Sequence, residues 1–272
     1  MDTRLYVKPD FPDDAFAWTA EYYAKYRVPY PKALLDDLIE RAGITLGARL
    51  LDIACGPGRV AIPLASAFES VVAVDLESEM IEVGKKVAND QGVAHISWIV
   101  GRAKNLEIEP ASVQLITIGE AFHRLDQLRI ATRALRWLSP GCCLVALGVN
   151  RGTEPWRRIV QNIVHKWTFH DGKKGGSSVK QVPGSGQAHY ERVLKDTGYK
   201  EVGTHTFVHS QDWTIESIIG YLYSTSFCSK RVLGANVELF EKDLYETLIA
   251  YDVSGVYQET MEFGYTLGKK PY

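Results

Sequence analysis

The stretch Leu50-Leu51-Asp52-Ile53-Ala54-Cys55-Gly56-Pro57-Gly58-Arg59 runs from an apolar segment into a Gly/Pro turn. Residues Arg49–Ala54 read as a buried strand. Gly56 and Gly58 let the backbone turn tightly and let a ligand approach without meeting a Cβ. A helix predicted over Val60–Phe68, with Pro63 tolerated in its first turn, then presents its N-terminus to that ligand.

Working outward, strands and helices alternate. Pro31–Ala42 carries Leu34, Leu35, Leu38 and Ile39 at helical spacing and stops at Gly43. Ser70–Val74 is a second strand leading to Asp75, Glu79–Ala88 a helix, His95–Val100 and Val113–Ile118 further strands, Gln127–Leu138 a helix, and Cys142–Gly148 a fifth strand after Pro140-Gly141. This alternation predicts an α/β fold, a mostly parallel sheet of about seven strands with helices on both faces. Ligands of such sheets bind beyond the carboxyl ends of the strands. After Val149 the rhythm changes. Glu154–Phe169 and His189–Thr197 read as helices, His170–Gln187 as a Gly/Ser/Lys loop, and Val202–His209 and Tyr257–Leu267 as strands that add an antiparallel edge. Ile215, Ile218, Ile219 and Leu222 form a helical stripe, and Asn236–Tyr251 is a further helix. One domain over residues 1–272 is expected, with 151–187 as a helical insertion capping the site.

The whole chain limits the function classes. Its 272 residues are 46% hydrophobic and 24% charged, which suits a folded domain with a sizeable core. The net charge of -2 gives no basic excess for neutralising phosphates, so no nucleic-acid partner is expected. Cys55, Cys142, Cys143 and Cys228 show no CxxC pair and fit a reducing, cytoplasmic setting. The N-terminus lacks a signal-peptide pattern, and the apolar runs are too short to span a bilayer. No membrane partner is expected.

The glycine turn alone admits two ligand classes. Gly56-x-Gly58-x-x-Ala61, with Asp75 downstream, satisfies the pattern of a nicotinamide-dependent oxidoreductase. Asp52 argues against a diphosphate there, because like charges about 4 Å apart repel by roughly 4 kcal/mol at an intermediate dielectric. S-adenosylmethionine instead brings an ammonium and a sulfonium, which a carboxylate attracts. Asp75 offers two oxygens to a pair of ribose hydroxyls.

Leu50 to Gly58 and Val72-Ala73-Val74-Asp75-Leu76-Glu77-Ser78-Glu79-Met80 resemble the first two motifs of the Rossmann-like S-adenosylmethionine-dependent methyltransferases. Tyr23 to Pro31 resembles the entry motif of the small-molecule branch (type 11), which includes trans-aconitate and ubiquinone/menaquinone-type methyltransferases. Ala121-Phe122-His123-Arg124-Leu125-Asp126 resembles that branch's fourth-strand motif, and Trp213–Phe227 its late helix. The resemblance implies S-adenosyl-L-methionine as cofactor and a small-molecule acceptor. It implies that Asp52, Ala54, Gly56 and Gly58 hold the methionine moiety and Asp75 the ribose, with Leu76 and Met80 on the adenine faces. Arg27 is expected either at the methionine carboxylate or as a surface charge, and Glu120 either at the methionine ammonium or without a role. Gly101-Arg102-Ala103 stands where the branch usually has an acidic residue, so adenine is expected near the Ala103 backbone or under the Arg102 stem. Gln114 replaces a common Asp, and Arg124 a common Trp.

Other residues carry weaker expectations. His123 is the candidate general base for an acceptor hydroxyl or amine. Tyr22, Tyr23, Tyr26 and Tyr30 form either a lid or ordinary helix packing. Trp156, Trp167, Trp213 and Tyr221 line either an acceptor pocket or the core. Lys173 and Lys174 could attract an anionic acceptor, and His205 and His209 lack a third metal ligand nearby in sequence, so no metal is expected. Besides the oxidoreductase, a non-catalytic S-adenosylmethionine-binding protein and a nucleic-acid methyltransferase are the rival readings.

Overall fold

A computed structural model describes residues 12–168 and 186–272. Seven strands form one sheet: β1 (Arg49–Ile53), β2 (Ser70–Asp75), β3 (Ile96–Val100), β4 (Val113–Gly119), β5 (Leu138–Asn150), β6 (Lys200–Thr214) and β7 (Val256–Lys269). Their order is β3-β2-β1-β4-β5-β7-β6. The first five are parallel, and β7 runs antiparallel to both β5 and β6. The antiparallel side expected from the sequence is thus the pair β7–β6, with the reversed strand lying between β5 and β6.

Helices cover both faces. α1 (Ala20–Tyr26), α2 (Lys32–Ala42), α3 (Ala61–Leu64) and α4 (Ser78–Asp90) precede α5 (Gln127–Trp137). α6 (Pro155–Thr168), α7 (Gln187–Asp196), α8 (Ile215–Tyr223), α9 (Lys230–Leu233) and α10 (Val237–Tyr251) follow β5. Two apolar clusters result. Leu34, Leu50, Ile81, Leu115, Phe240 and Phe263 belong to one; Leu51, Ile53, Ile116, Ile130, Trp137 and Leu194 belong to the other. Side chains alternate across a strand. Leu50 and Asp52 therefore share one face of β1, and Leu51 and Ile53 the other.

Local signals explain the boundaries. α2 ends at Gly43, whose φ of 64° is left-handed. The Asp126 carboxylate accepts from Arg129 N at 3.2 Å and starts α5. Thr214 and Ser217 form a reciprocal cap on α8. The helix expected over Val60–Phe68 is shorter than its periodicity suggests, since a 3-10 turn over Ala65–Ala67 replaces its second half. β5 begins earlier than expected, at Leu138, and takes Pro140-Gly141 into the strand. α6 is tied to α10 through Lys166 and Trp167, which both donate to Asp243 at 2.7 Å. The expected loop over 170–187, with His170, Lys173 and Lys174, lies almost wholly outside the described residues.

Candidate functional site

β1, β2 and β4 end side by side, and the segments that follow them meet in one crevice. Ala54 (φ 54°) follows β1 and Glu120 (φ 51°) follows β4; both are non-glycine residues in left-handed backbone. Such conformations cost of order 1–3 kcal/mol each and collect at functional sites. Between β1 and α3 lie Gly56 (φ 54°) and Gly58 (φ 84°). A Cβ on Gly56 would meet nothing nearer than Tyr23 Cε1 at 3.9 Å, so the loop is open to a ligand there. A Cβ on Gly58 would lie 2.7 Å from Trp98 Cη2 and 2.8 Å from Ile62 Cδ1. Gly58 is thus required by packing, Gly56 by the crevice.

Asp75 stands at the end of β2. Its Oδ2 accepts from Gly56 N at 2.8 Å and its Oδ1 from Glu77 N at 3.0 Å. Burial pushes its pKa up despite those donors. The carboxylate is half-buried beside the loop. Leu76 next to it is 37% exposed, and Met80 is buried beneath. Ala103 opens a short 3-10 turn after β3. Arg102, expected to lie along a ligand, donates instead to Asp13 at 2.7 Å on the surface.

Asp52 departs from expectation. It is completely buried, and β1 and β4 pair so that Asp52 stands opposite Thr117. Its Oδ1 accepts from Thr117 Oγ1 at 2.7 Å and its Oδ2 from Ala61 N at 3.2 Å. Burial raises its pKa to about 7. The carboxylate ties two strands to the start of α3 and shapes the loop. The charge repulsion invoked from the sequence against a diphosphate therefore does not decide the ligand class.

Charges of both signs do meet at the crevice. Glu120 pairs with Arg59 and stands 3.6 Å from Arg27 Nη1. Burial alone would raise its pKa, but Arg59 and Arg27 hold it down at about 2. Arg59 also donates to Val28 O and lies over the Tyr30 ring, 4.9 Å to the centroid. Arg27 donates to Ser224 Oγ at 2.8 Å and lies between the rings of Tyr23 and Tyr221, at 4.6 and 4.9 Å. Two recesses flank Arg59. One, about 250 Å³, is lined by Tyr23, Tyr30, Asp52, Ala54, Gly56 and Gly119 among others. Two buried polar atoms at it, Tyr30 Oη and Arg59 Nε, have no partner. Unpaired buried donors of this kind call for a partner such as a water, an ion or a ligand. The other recess, about 200 Å³, is lined by Arg27, Arg59, Glu120, Arg151, Tyr221 and Phe263 among others.

The remaining candidates separate. His123 lies in a 3-10 turn after β4, with Nδ1 3.5 Å from Tyr190 Oη, and lines neither recess. Burial, then Arg124, lowers its pKa to about 4. Tyr23 and Tyr30 line the loop-side recess, whereas Tyr22 stacks on Tyr26 and meets Tyr223 edge-on. Tyr221 lines the second recess, while Trp156 donates to Gln258 O within the core. Gln114 accepts from Arg49 N at 2.8 Å, at the opposite end of β4. His205 and His209 lean on Tyr265 and Phe263. Among the described residues no three His, Cys, Asp or Glu groups stand together as a metal site. No described helix is long and apolar enough to cross a membrane. Sequence reading missed Arg59, Thr117, Arg151 and Glu259. Arg59 directly follows the glycine turn and Arg151 directly follows β5, and position at a strand's carboxyl end was the available signal for both.

Comparison with known proteins agrees with this geometry. Residues 50–141, about a third of the chain, match the family model described as methyltransferase domain. Over 104 residues, 38% of the chain, it is 35% identical to the ubiquinone/menaquinone biosynthesis C-methyltransferase UbiE of Rubrivivax gelatinosus and covers 40% of that protein. The chain spans about half the length, or less, of the curated relatives it matches. Among solved structures, the YcgJ protein of Bacillus subtilis superposes with a TM-score of 0.55 at 16% identity, covering 89% of this chain and all of the other. A phosphoethanolamine N-methyltransferase of Haemonchus contortus, in complex with S-adenosyl-L-methionine, superposes with a TM-score of 0.52 at 17% identity over 96% of this chain and 57% of the other. The fold is therefore the Rossmann-like methyltransferase fold.

Proposed function

We propose that this chain, whose residues 50–141 match the methyltransferase domain, transfers a methyl group from S-adenosyl-L-methionine to a small-molecule acceptor. The observation that carries the reading is Asp75, a half-buried carboxylate at the end of β2, bonded to the open glycine turn at Gly56 N. It would exchange that bond for the two ribose hydroxyls. Leu76 and Met80 would border the adenine, with the Ala103 backbone at its edge. The backbone of Ala54–Gly58 and the paired charges of Arg27, Arg59 and Glu120 suit an amino-acid tail, which carries both signs itself. The names of the relatives supply the small-molecule class. The reading takes the chain as one domain, with α6 among the elements over the acceptor side.

The bound cofactor supplies an electrophilic methyl on a sulfonium. The chain's part is placement, since holding donor and acceptor in line can lower a barrier by about 7–11 kcal/mol. Tyr23 and Tyr30 shield the loop from water. His123, whose conjugate acid has a pKa of about 4, is neutral at physiological pH but a weak base. The reading therefore rests on placement and assigns His123 no proton transfer.

Calorimetric titration tests this reading. S-adenosylhomocysteine should bind and NAD should not. Asp75→Ala should weaken S-adenosylhomocysteine by roughly tenfold or more, the worth of charge-assisted bonds to a diol. Unchanged affinity in the variant would show that the ribose lies elsewhere.

A further inference from the structure

The second recess holds more positive charge than the cofactor reading uses. Arg151 follows β5 and donates from Nε to Glu259 Oε1 at 2.8 Å and from Nη2 to Glu259 Oε2 at 2.6 Å, which leaves its Nη1 outside the pair. Arg157 Nη1 stands 2.9 Å from the same carboxylate, and its buried Nε has no partner. Arg27 commits Nε and Nη2 to Ser224, and its Nη1 stands beyond hydrogen-bond length from Glu120. Four guanidiniums, Arg27, Arg59, Arg151 and Arg157, thus face two carboxylates, Glu120 and Glu259. Arg124 and Glu154 couple to the edge of the group and leave the excess at two. Each of the four guanidinium side chains is under a fifth exposed.

A desolvated surplus of this kind is unfavourable until an anion offsets it. Its neighbours register the field. Burial and then Arg151 lower the pKa of Arg157, and burial followed by Arg27 brings Arg124 down to about 10. Tyr221 is the converse case. Burial acts to raise its pKa, but Arg151, Arg27 and Arg157 outweigh it. Arg151 Cζ also lies over the Tyr221 ring, 4.2 Å from its centroid, a cation–π contact that helps to hold the guanidinium in place.

Resting on the methyl-transfer reading, we propose that this recess seats the acceptor, and that the acceptor bears a carboxylate or phosphate gripped by Arg151. Location separates this anion from the cofactor's own carboxylate. The glycine turn follows β1, whereas Arg151 follows β5, two strands away, or about 10 Å at ordinary strand spacing. The floor is apolar, formed by Met261, Phe263, Val28 and Val149. The acceptor that fits has an anionic end beside a flat or apolar body.

The test uses the whole chain loaded with S-adenosylhomocysteine and titrated with benzoate, succinate and inorganic phosphate, with benzamide as the neutral control. At least one anion should bind roughly tenfold tighter than benzamide, as charge-assisted pairing requires. Arg151→Met should abolish that preference and leave S-adenosylhomocysteine affinity unchanged. Arg151→Lys, which keeps the charge and spares Glu259 an unpaired neighbour, should retain part of it and serves where the Met variant fails to fold. A loss of S-adenosylhomocysteine affinity in Arg151→Met would assign the anion site to the cofactor and overturn the proposal. Equal binding of benzamide and the anions would overturn it too. If S-adenosylhomocysteine does not bind the unaltered protein, the methyl-transfer reading falls instead. The same anion titration without it then still decides whether the arginine recess takes an anion.

Discussion

At the residue scale, burial reverses what Asp52 and His123 suggest in the sequence and fails to reverse Glu120. Asp52 looks like an exposed charge at a strand end, but its pKa of about 7 and its bonds to Thr117 and Ala61 make it part of the frame. Glu120 is largely buried too, yet two arginines keep it ionised. Around His123, burial and then Arg124 outweigh the pull of Glu120 toward the cation. The histidine's folded pKa of about 4 lies below the unfolded value near 6.5, so the unfolded chain takes the proton first. Stability from this group is present above about pH 6.5 and lost as pH falls toward 4. Asp52 acts oppositely in part of the same window, because its raised pKa makes the fold gain as pH falls from about 7 toward 4. The wild-type profile alone therefore mixes the two, and a difference isolates His123. His123→Gln should gain on the wild type by of order 2 kcal/mol in unfolding free energy between pH 7 and pH 4. A difference that stays constant across that range in urea titrations would show that His123 protonates equally in both states.

At the scale of elements, the two glycines of the turn after β1 should separate stability from binding. Both have left-handed φ, which costs a side chain roughly 1–2 kcal/mol. Gly58→Ala adds a collision with Trp98 and Ile62 and should destabilise by about 3 kcal/mol or more in total. Gly56→Ala has open space around its Cβ. It should cost about 1 kcal/mol of stability while weakening S-adenosylhomocysteine markedly. Melting curves and titrations of the pair would contradict the account if Gly56→Ala proved the less stable variant. The sequence made the turn and its neighbouring strands legible because glycine, proline and apolar alternation act locally. It could not assign the two glycines their different reasons, since Trp98 reaches Gly58 from β3, forty residues on.

On the scale of the whole molecule, the parallel sheet and its antiparallel side were readable from the order of elements, and so was the position of Asp75 at a strand end. The arginine recess was not. Arg27, Arg59 and Arg151 are scattered in sequence, and each alone resembles a surface cation; sheet order brings them to one recess, and Arg157 joins them behind it through Glu259. Their counterpart, Glu259, lies within β7, where strand alternation merely predicts a buried or exposed position. It is 1% exposed, accepts from Arg151 and from Gly152 N at 3.0 Å, and forms an ion pair with Arg157, so it fastens the segment after β5 to the reversed strand. Removing one member of a buried ion network leaves the others uncompensated, at a cost of about 3–5 kcal/mol. Glu259→Gln should therefore lower the unfolding free energy by about 3 kcal/mol, because an amide cannot balance two guanidiniums. Adding Arg157→Met should recover part of that loss by removing one stranded cation. Denaturant curves for the single and double variants measure both effects. A loss below about 1 kcal/mol in the single variant would mean that water already screens these arginines, as it does surface pairs. The excess positive charge assigned to the recess would then have no structural consequence.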